Sequence, residues 1–270
     1  MANSAMRPVI RIDQLTKEFK QLTAVNEASL DVERAEIFGL IGPNGAGKST
    51  LIKMLTTLLP PTAGDAWIAG FSICSQPRDV RRRIGYVPQL LSADGGLTGY
   101  ENLLLSARLY GIPWRQRPKR IENALFMIGL ADSADVLVQH YSGGMIRRLE
   151  IAQGMMHEPD VIFMDEPTVG LDPTARQMVW DHIEGLRKST GTTMFITTHY
   201  MEEADEFCDR IAFIHQGQIQ MIGTPAELKA TVGPEATLDD VFKTLTGAEI
   251  ESGGSYRDVR RTRRSVRQHG

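Results

Sequence analysis

The sequence lacks the features of a secreted or membrane-spanning protein. Cys74 and Cys208 are the only cysteines among 270 residues, and their spacing suits neither a disulfide framework nor a zinc site. No apolar run approaches the ~18 uninterrupted residues that a membrane span requires. Residues 1–9 also lack the apolar stretch of a signal peptide. We therefore expect a soluble chain in a reducing compartment, which would reach a membrane only through a partner.

The chain also lacks a strong charge of either sign. A net charge of −3 argues against non-specific binding to nucleic acid, and we expect no nucleic-acid partner. Apolar residues make up 42% of the chain, which is enough for a sizeable core. The composition therefore predicts a globular protein that folds alone.

The most informative stretch is the glycine-rich segment at residues 42–50. It lies between two apolar runs, residues 36–41 and 51–55, which predicts strand, tight loop and helix. Glycines let backbone N–H groups converge, and a helix N-terminus adds roughly half a positive charge. The spacing G-x-x-x-x-G-K-[ST] is typical of a nucleotide phosphate loop, in which Lys48 reaches the β- and γ-phosphates and Ser49 binds Mg²⁺. The alternative is a turn that binds nothing. The predicted binding residues are Gly42, Pro43, Asn44, Gly45, Ala46, Gly47, Lys48, Ser49 and Thr50.

Polar side chains follow three other predicted strands. Asp165 and Glu166 end the apolar run 161–164, Gln89 follows residues 84–88, and His199 follows residues 192–198. Because open α/β sheets bind ligands at the carboxyl ends of their strands, these residues are candidates for one site. Asp165 could hold Mg²⁺ and Glu166 could take a proton from water. The alternatives are exposed acids, a loop amide and a structural histidine; His199 is the one histidine that we predict at such a strand end.

Helical periodicity replaces the strand pattern from about residue 98 to residue 154. Ile121, Leu125 and Ile128 recur at helical spacing, so the sequence predicts an inserted helical segment with one apolar face. The segment reaches Ser142, Gly143 and Gly144, after which residues 146–156 are again helical. Ser142 is a good N-cap, and glycines at a helix start can bind an anion. An ordinary capped helix is the alternative.

The two ends of the chain carry weaker signals. Alternation in residues 10–12 and 29–33 predicts a small antiparallel sheet. Phe19 lies between these strands, and spacing alone favours a core position over an exposed ring that stacks on a base. Residues 237–247 predict a capped amphipathic helix that packs on its own domain. The arginine-rich residues 248–270 predict a flexible solvated end or a contact with anionic lipid or an acidic partner.

In order and spacing, these stretches resemble the ATP-binding subunits of ABC transporters over about residues 10–247. Residues 42–50 resemble the Walker A motif, and residues 161–165 resemble Walker B, with Glu166 as its catalytic glutamate. Gln89 resembles the Q-loop and His199 the switch histidine. Residues 141–145 resemble the family signature, and residues 169–172 the D-loop. The variant signature, together with residues 238–242, is similar to the daunorubicin-resistance type of exporter ATPase.

The resemblance implies an α/β fold: a P-loop NTPase core with a mainly parallel sheet, an N-terminal antiparallel β subdomain and an inserted helical subdomain. It assigns residues 1–247 to the ATP-binding domain, with the helical subdomain at about 90–154, and leaves 248–270 as a basic tail. It implies ATP and Mg²⁺ as cofactors. Catalytic roles fall to Lys48, Gln89, Glu166 and His199; the implied Mg²⁺ ligands are Ser49, Gln89 and Asp165; and the implied ATP contacts beyond residues 42–50 are Phe19, Ser142, Gly143, Gly144 and Asp172. For Phe19, stacking on adenine thereby replaces the core position.

The resemblance also implies partners. Two copies would join head to tail, with each ATP between the phosphate loop of one copy and the signature of the other. The pair would power a separate integral-membrane permease at the cytoplasmic face of the cell membrane, exporting a drug, antibiotic or other hydrophobic compound. One alternative is a non-transport ABC ATPase acting on nucleic acid or ribosomes, but such proteins usually carry two nucleotide domains or a coiled-coil insertion. Another is a drug-sequestering module, which leaves Glu166 unexplained.

Overall fold

The computed structural model describes residues 8–247. The predicted basic tail at residues 248–270 lies outside the described residues. The strands are β1 (Ile10–Phe19), β2 (Leu22–Val32), β3 (Ile37–Ile41), β4 (Ala63–Ile68), β5 (Phe71–Ser72), β6 (Ile84–Val87), β7 (Val161–Asp165), β8 (Thr193–Thr198), β9 (Arg210–His215) and β10 (Gln218–Gly223). The α-helices are α1 (Lys48–Leu55), α2 (Pro77–Arg83), α3 (Gly99–Leu109), α4 (Arg117–Met127), α5 (Gly143–Met155), α6 (Pro173–Thr190), α7 (Met201–Phe207), α8 (Pro225–Ala230) and α9 (Leu238–Thr246).

The larger sheet positions the candidate site. Its six strands lie in the order β10-β9-β3-β8-β7-β6. All neighbours from β9 to β6 are parallel, and only β10 is antiparallel. The carboxyl ends of β3, β6, β7 and β8 therefore meet at one edge, where the predicted ligand-binding residues follow them.

Both faces of this sheet are buried, which explains the continuous apolar runs of its strands. On β3, Phe38 and Leu40 pack into the core shared with β1, β2, β4 and α1. Ile37 and Ile41 face the opposite core, which α6, α7 and α9 complete. The alternation of strand side chains thus joins two hydrophobic cores through one strand.

The smaller sheet is antiparallel, with the order β2-β1-β4-β5. Its first two strands form a hairpin that runs much farther than the alternation predicts, from Ile10 paired with Val32 to Phe19 paired with Leu22. Strand β4 begins at Ala63, which pairs with Thr16 of β1. The hairpin brings Phe19 toward the phosphate-loop end of the molecule.

A third core holds the helices inserted between β6 and β7. Ile121, Leu125 and Ile128 are buried there, as their spacing predicts. Helix α9 is capped by Thr237 and ends at Gly247, and its residues Val241 and Phe242 are buried against the main domain. The predicted fold class is confirmed: an α/β P-loop core, an N-terminal antiparallel sheet and an inserted helical region. The subdomain boundaries at about 90 and 154 stay a prediction.

Candidate functional site

The glycine-rich segment forms the loop that joins β3 to α1. At Gly47, φ is 108°, a left-handed conformation that favours glycine. A Cβ at this position would also lie 2.5 Å from the carbonyl oxygen of Ala24. From the far side, the N–H of Gly217 donates to the Ala46 carbonyl at 2.9 Å. The loop is therefore held between the β1–β2 hairpin and the β9–β10 hairpin.

Lys48 is buried at the start of α1, with only 5% of its surface exposed. Its Nζ donates to the carbonyl oxygens of Gly42 at 2.8 Å and Pro43 at 3.2 Å. The same atom lies 3.1 Å from Glu166 Oε1. The ammonium group is thus fixed beneath the loop, beside the carboxylate that the sequence proposes as a base.

Glu166 is the meeting point of the predicted catalytic residues. Gln89 Nε2 donates to its Oε2 at 3.2 Å, and His199 Nδ1 lies 3.3 Å from the same oxygen. Burial raises the pKa of Glu166, but the contact with His199 and the positive charge of Lys48 outweigh it, so the pKa lies below its usual value. The carboxylate is therefore ionised at neutral pH.

The backbone at Glu166 is constrained as well. Its φ is +49°, an uncommon conformation for a residue with a Cβ. Its N–H donates to Thr197, with Oγ1 at 3.0 Å and the carbonyl oxygen at 3.1 Å. The Thr197 hydroxyl in turn donates to Asp165 Oδ1 at 2.6 Å. Thr197 of strand β8 thereby orients both acidic residues. Sequence reasoning missed this function, although the polar residues at the end of the strand were a signal for it.

A groove of about 660 Å³ opens over the loop. Lys48, Gln89 and Glu166 line this groove, and so does Phe19 at the end of β1. Other predicted residues in the lining are Asn44, Gly45, Gly47, Ser49 and Thr50. The lining residues that sequence reasoning missed are Leu22, Thr23, Ala24, Gln216 and Gly217, which belong to the two hairpins.

Phe19 is 43% exposed, so the core position that spacing alone favours is wrong. As the last residue of β1 it lies at a strand end, where the alternation no longer directs it inward. Lys17 Nζ lies 5.3 Å from the ring centroid. An exposed ring in the groove lining is compatible with base stacking, which stays a prediction.

His199 directly follows β8 and packs on its neighbour Tyr200, with the ring centroids 4.2 Å apart. The Arg176 guanidinium covers the Tyr200 ring at 4.4 Å, so helix α6 contacts the histidine indirectly, through Tyr200. His215 also ends a strand, β9, which corrects the prediction that His199 alone does so. Its ring packs edge-on against Phe242, with the centroids 5.9 Å apart.

The signature residues lie on a different part of the chain from the groove lining. Ser142 caps α5, and its Oγ accepts from the Met145 N–H at 3.3 Å. Gly144 is buried against α6, and a Cβ at this position would lie 2.9 Å from Ala175 Cβ. Asp172 caps α6, accepting from the N–H groups of Thr174 and Ala175 at 3.0 Å each. Neither Ser142 nor Asp172 lines the groove, so among residues 8–247 the structure does not bring them to Lys48.

Comparison with known proteins decides the family. The ABC transporter family profile matches residues 25–169. The daunorubicin/doxorubicin resistance ATP-binding protein DrrA of Streptomyces peucetius is 44% identical over 249 residues, covering 92% of this chain and 75% of that protein. The chain belongs to the ABC transporter family. As an ABC ATPase it binds and hydrolyses ATP, as the resemblance implies.

Other ABC proteins are also similar to this chain in sequence or in structure. The doxorubicin resistance ATP-binding protein DrrA of Mycobacterium tuberculosis H37Rv is 42% identical over 233 residues, covering 86% of this chain and 70% of that protein. A solved ATP-binding subunit of an ABC transporter superposes with a TM-score of 0.78 at 29% identity, covering 88% and 99% of the two chains. A dimeric ATP-binding cassette in a post-hydrolysis state, bound to ADP and Pi, gives 0.72 at 26% identity, covering 80% and 98%.

None of the helices between residues 8 and 247 combines the length and apolarity needed to cross a bilayer. Over the same residues, no three His, Cys, Asp or Glu side chains form a metal-binding cluster. The ABC site nevertheless fits Mg²⁺, because this ion binds through one or two carboxylates, with waters and substrate phosphates completing its shell. Asp165 and the Ser49 hydroxyl are oxygen donors of that kind.

The ABC signature departs from the usual pattern at Tyr141, where leucine is common. The Tyr141 hydroxyl donates to the Ser133 carbonyl at 2.6 Å within the helical core. A Cβ at Gly99 would lie 2.3 Å from that hydroxyl oxygen. The tyrosine therefore requires a glycine at the first residue of α3, 42 positions earlier in the sequence.

We expect Gly99→Ala to destabilise the protein by about 1–3 kcal/mol, because the added methyl group overpacks against the phenol. In a Tyr141→Phe background the clash with the hydroxyl is absent, so the same change should cost less. Urea unfolding of the two single variants and the double variant measures the coupling. Strictly additive free energies would contradict the contact.

Proposed function

We propose that Glu166 is the general base of this ABC ATPase and that hydrolysis powers a separate permease that exports a hydrophobic drug or antibiotic. One observation carries the catalytic part. Three predicted catalytic side chains, from Lys48, Gln89 and His199, converge on a single ionised carboxylate beside the groove. A base needs that combination: an unprotonated oxygen within reach of the substrate and neighbours that hold its orientation.

The remaining residues have assigned roles in this proposal. Lys48 would bind the β- and γ-phosphates, and because its Nζ lies 3.1 Å from Glu166 Oε1, the attacked phosphate would lie next to the base. Ser49, Asp165 and Gln89 would hold Mg²⁺, which when bound neutralises charge on the phosphate oxygens. Gln89 and His199 sense the γ-phosphate through Glu166, and Phe19 stacks on adenine.

We further propose that the active unit is a head-to-tail homodimer. The groove holds donors for one flank of a triphosphate, whereas Ser142 caps a second helix N-terminus outside its lining. A second copy can bring its Ser142, Gly143, Gly144 and Asp172 to the open flank. ATP would then join the copies, and hydrolysis would release them.

The transport part rests on the relatives and on an exposed surface. Two relatives of this chain carry daunorubicin or doxorubicin resistance in their names. Helix α3 and the turn after it expose apolar side chains: Leu105 is 44%, Leu109 78%, Tyr110 42% and Trp114 70% exposed. Exposed apolar patches of this kind mark protein-binding surfaces. We assign this surface to the permease, which would hold the ATPase at the cytoplasmic face of the membrane.

We expect the full chain, purified with an affinity tag from detergent-solubilised membranes, to retain a polytopic membrane protein, and anthracyclines to stimulate its ATPase there. Leu109→Ser/Trp114→Ser should lose that partner and the stimulation while basal ATPase in solution is unchanged. Leu58→Ser is the matched control, since Leu58 is 61% exposed but lies after α1. Retention of the permease by the double variant would contradict the surface, and recovery of ribosomes or DNA instead would contradict the transport role.

A further inference from the structure

Helix α5, which Ser142 caps, carries a buried ion pair in its second turn. Arg147 Nη1 lies 3.0 Å from Glu150 Oε2, and their side chains are only 3% and 2% exposed. Arginine and glutamate are almost never buried so fully unless they are paired. Neither residue itself lines the groove, so direct contact with a bound substrate does not account for the pair.

The pair holds the loop that carries Gln89. Arg147 donates through Nη1 to the Pro88 carbonyl and through Nη2 to the Gln89 carbonyl, both at 2.7 Å. Glu150 Oε1 accepts from the Ser92 N–H, from the Ser92 hydroxyl at 3.1 Å and from the Ala93 N–H at 3.2 Å. The two charges thus grip residues 88–93 on both sides of the exposed Leu90 and Leu91.

This arrangement differs from an ion pair that only fills a core. Its hydrogen bonds go to backbone groups of a loop that has few other anchors, and the planar guanidinium fork fits two adjacent carbonyls. The side chain of the held residue, Gln89, reaches Glu166 Oε2 at 3.2 Å. The helix that presents Ser142 to another molecule therefore also fixes a neighbour of the base.

We propose that Arg147 and Glu150 are positioning residues that fasten the Gln89 loop to the signature helix, so that Gln89 and Ser142 move as one body. A displacement of Ser142 against a second copy would then be transmitted to Gln89 and to Glu166. The inference rests on the proposed role of Gln89 in hydrolysis.

The test replaces both charges with side chains of similar length, Arg147→Met/Glu150→Met. Replacing a buried ion pair by apolar residues is often neutral or stabilising, so the fold should persist. We expect the Ser92 and Ala93 amides to exchange with deuterium on the order of tenfold faster. We expect kcat to fall by roughly 10- to 100-fold, the usual result of misplacing a catalytic group, while KM for ATP and the melting temperature stay near wild type.

The matched control is Arg120→Met/Glu158→Met. This ion pair also lies in the helical region at 3.1 Å, and Arg120 donates to a backbone carbonyl, that of Met156 at 3.3 Å. It does not contact residues 88–93, so exchange of the loop amides and kcat should both match wild type. A structural effect common to any lost ion pair would lower kcat equally in both double variants, and that result would overturn the proposal.

A second variant decides the matter if Arg147→Met/Glu150→Met does not fold. Ser92→Pro removes one N–H donor from an exposed loop position and leaves the helix intact. It should also lower kcat without raising KM; wild-type kcat would overturn the proposal.

Gln89→Ala separates the positioning role of Arg147 and Glu150 from the role of Gln89 itself. If Gln89→Ala lowers kcat but Arg147→Met/Glu150→Met does not, the positioning role alone is overturned. If Gln89→Ala leaves kcat at the wild-type value, the role of Gln89 on which the inference rests is overturned.

Discussion

Glu166→Gln is expected to lower ATP turnover by roughly 10²- to 10⁴-fold, the usual contribution of a general base, while ATP binding is retained. Glutamine keeps the shape of the side chain but cannot take a proton from water. Its backbone stays fixed, because the N–H at this position still donates to Thr197. Lys48 keeps its bonds to the carbonyls of Gly42 and Pro43. Phosphate release, compared with ATP titration in a calorimeter, measures the two effects separately.

Lys48→Ala is the matched comparison, because it removes the other half of the same ion pair. A hydrogen bond to a charged group contributes about 1.5–3 kcal/mol, so ATP affinity should fall by roughly 10- to 100-fold. Turnover should fall with it. Glu166→Gln at near wild-type turnover would contradict the base assignment, and Lys48→Ala with full affinity and turnover would contradict the phosphate site itself.

Local patterns made much of the fold predictable. The phosphate loop is predictable because its strand, glycine turn and helix follow one another within about twenty residues, so local sequence patterns are enough to identify it. Helix α9 was readable for the same reason, since Thr237, the apolar face and Gly247 are all near in sequence. The strand ends at Gln89, Asp165 and His199 needed one more rule, that parallel strands end at a common edge.

The remaining parts of the site depend on contacts between distant segments. Gly217 supports the phosphate loop through Ala46, yet nothing near either residue in the sequence signals the pairing. The core position that spacing favours for Phe19 is wrong because alternation fails at the end of a strand. Gly99 reads as an ordinary helix start until the Tyr141 hydroxyl is known to lie against it. Each of these contacts is set by packing between elements, which a one-dimensional pattern does not encode.

The same argument applies to Arg147 and Glu150. At i and i+3 on a helix they read as a surface ion pair, the commonest arrangement for such residues. Their burial depends on contacts with segments distant in sequence, among them the loop that they hold. Charged residues that bind a distant backbone are therefore the part of this site that sequence reasoning is least able to find.

Ser142→Arg is expected to abolish ATP-induced dimerisation, because the larger side chain would occupy the space that the phosphates of the second copy require. The effect is best measured in the Glu166→Gln background, where hydrolysis cannot separate the copies, by light scattering with and without ATP. ATP binding to the single copy should be unchanged, since Ser142 does not line the groove.

Loss of the helix cap itself costs about 1 kcal/mol, and two controls separate this cost from the effect of the larger side chain. Ser142→Ala removes the capping oxygen without adding volume, and Thr98→Arg introduces the same side chain at the N-cap of α3. Both should dimerise far better than Ser142→Arg; if Ser142→Arg dimerises as well as they do, the second copy does not place its signature over the ATP of the first.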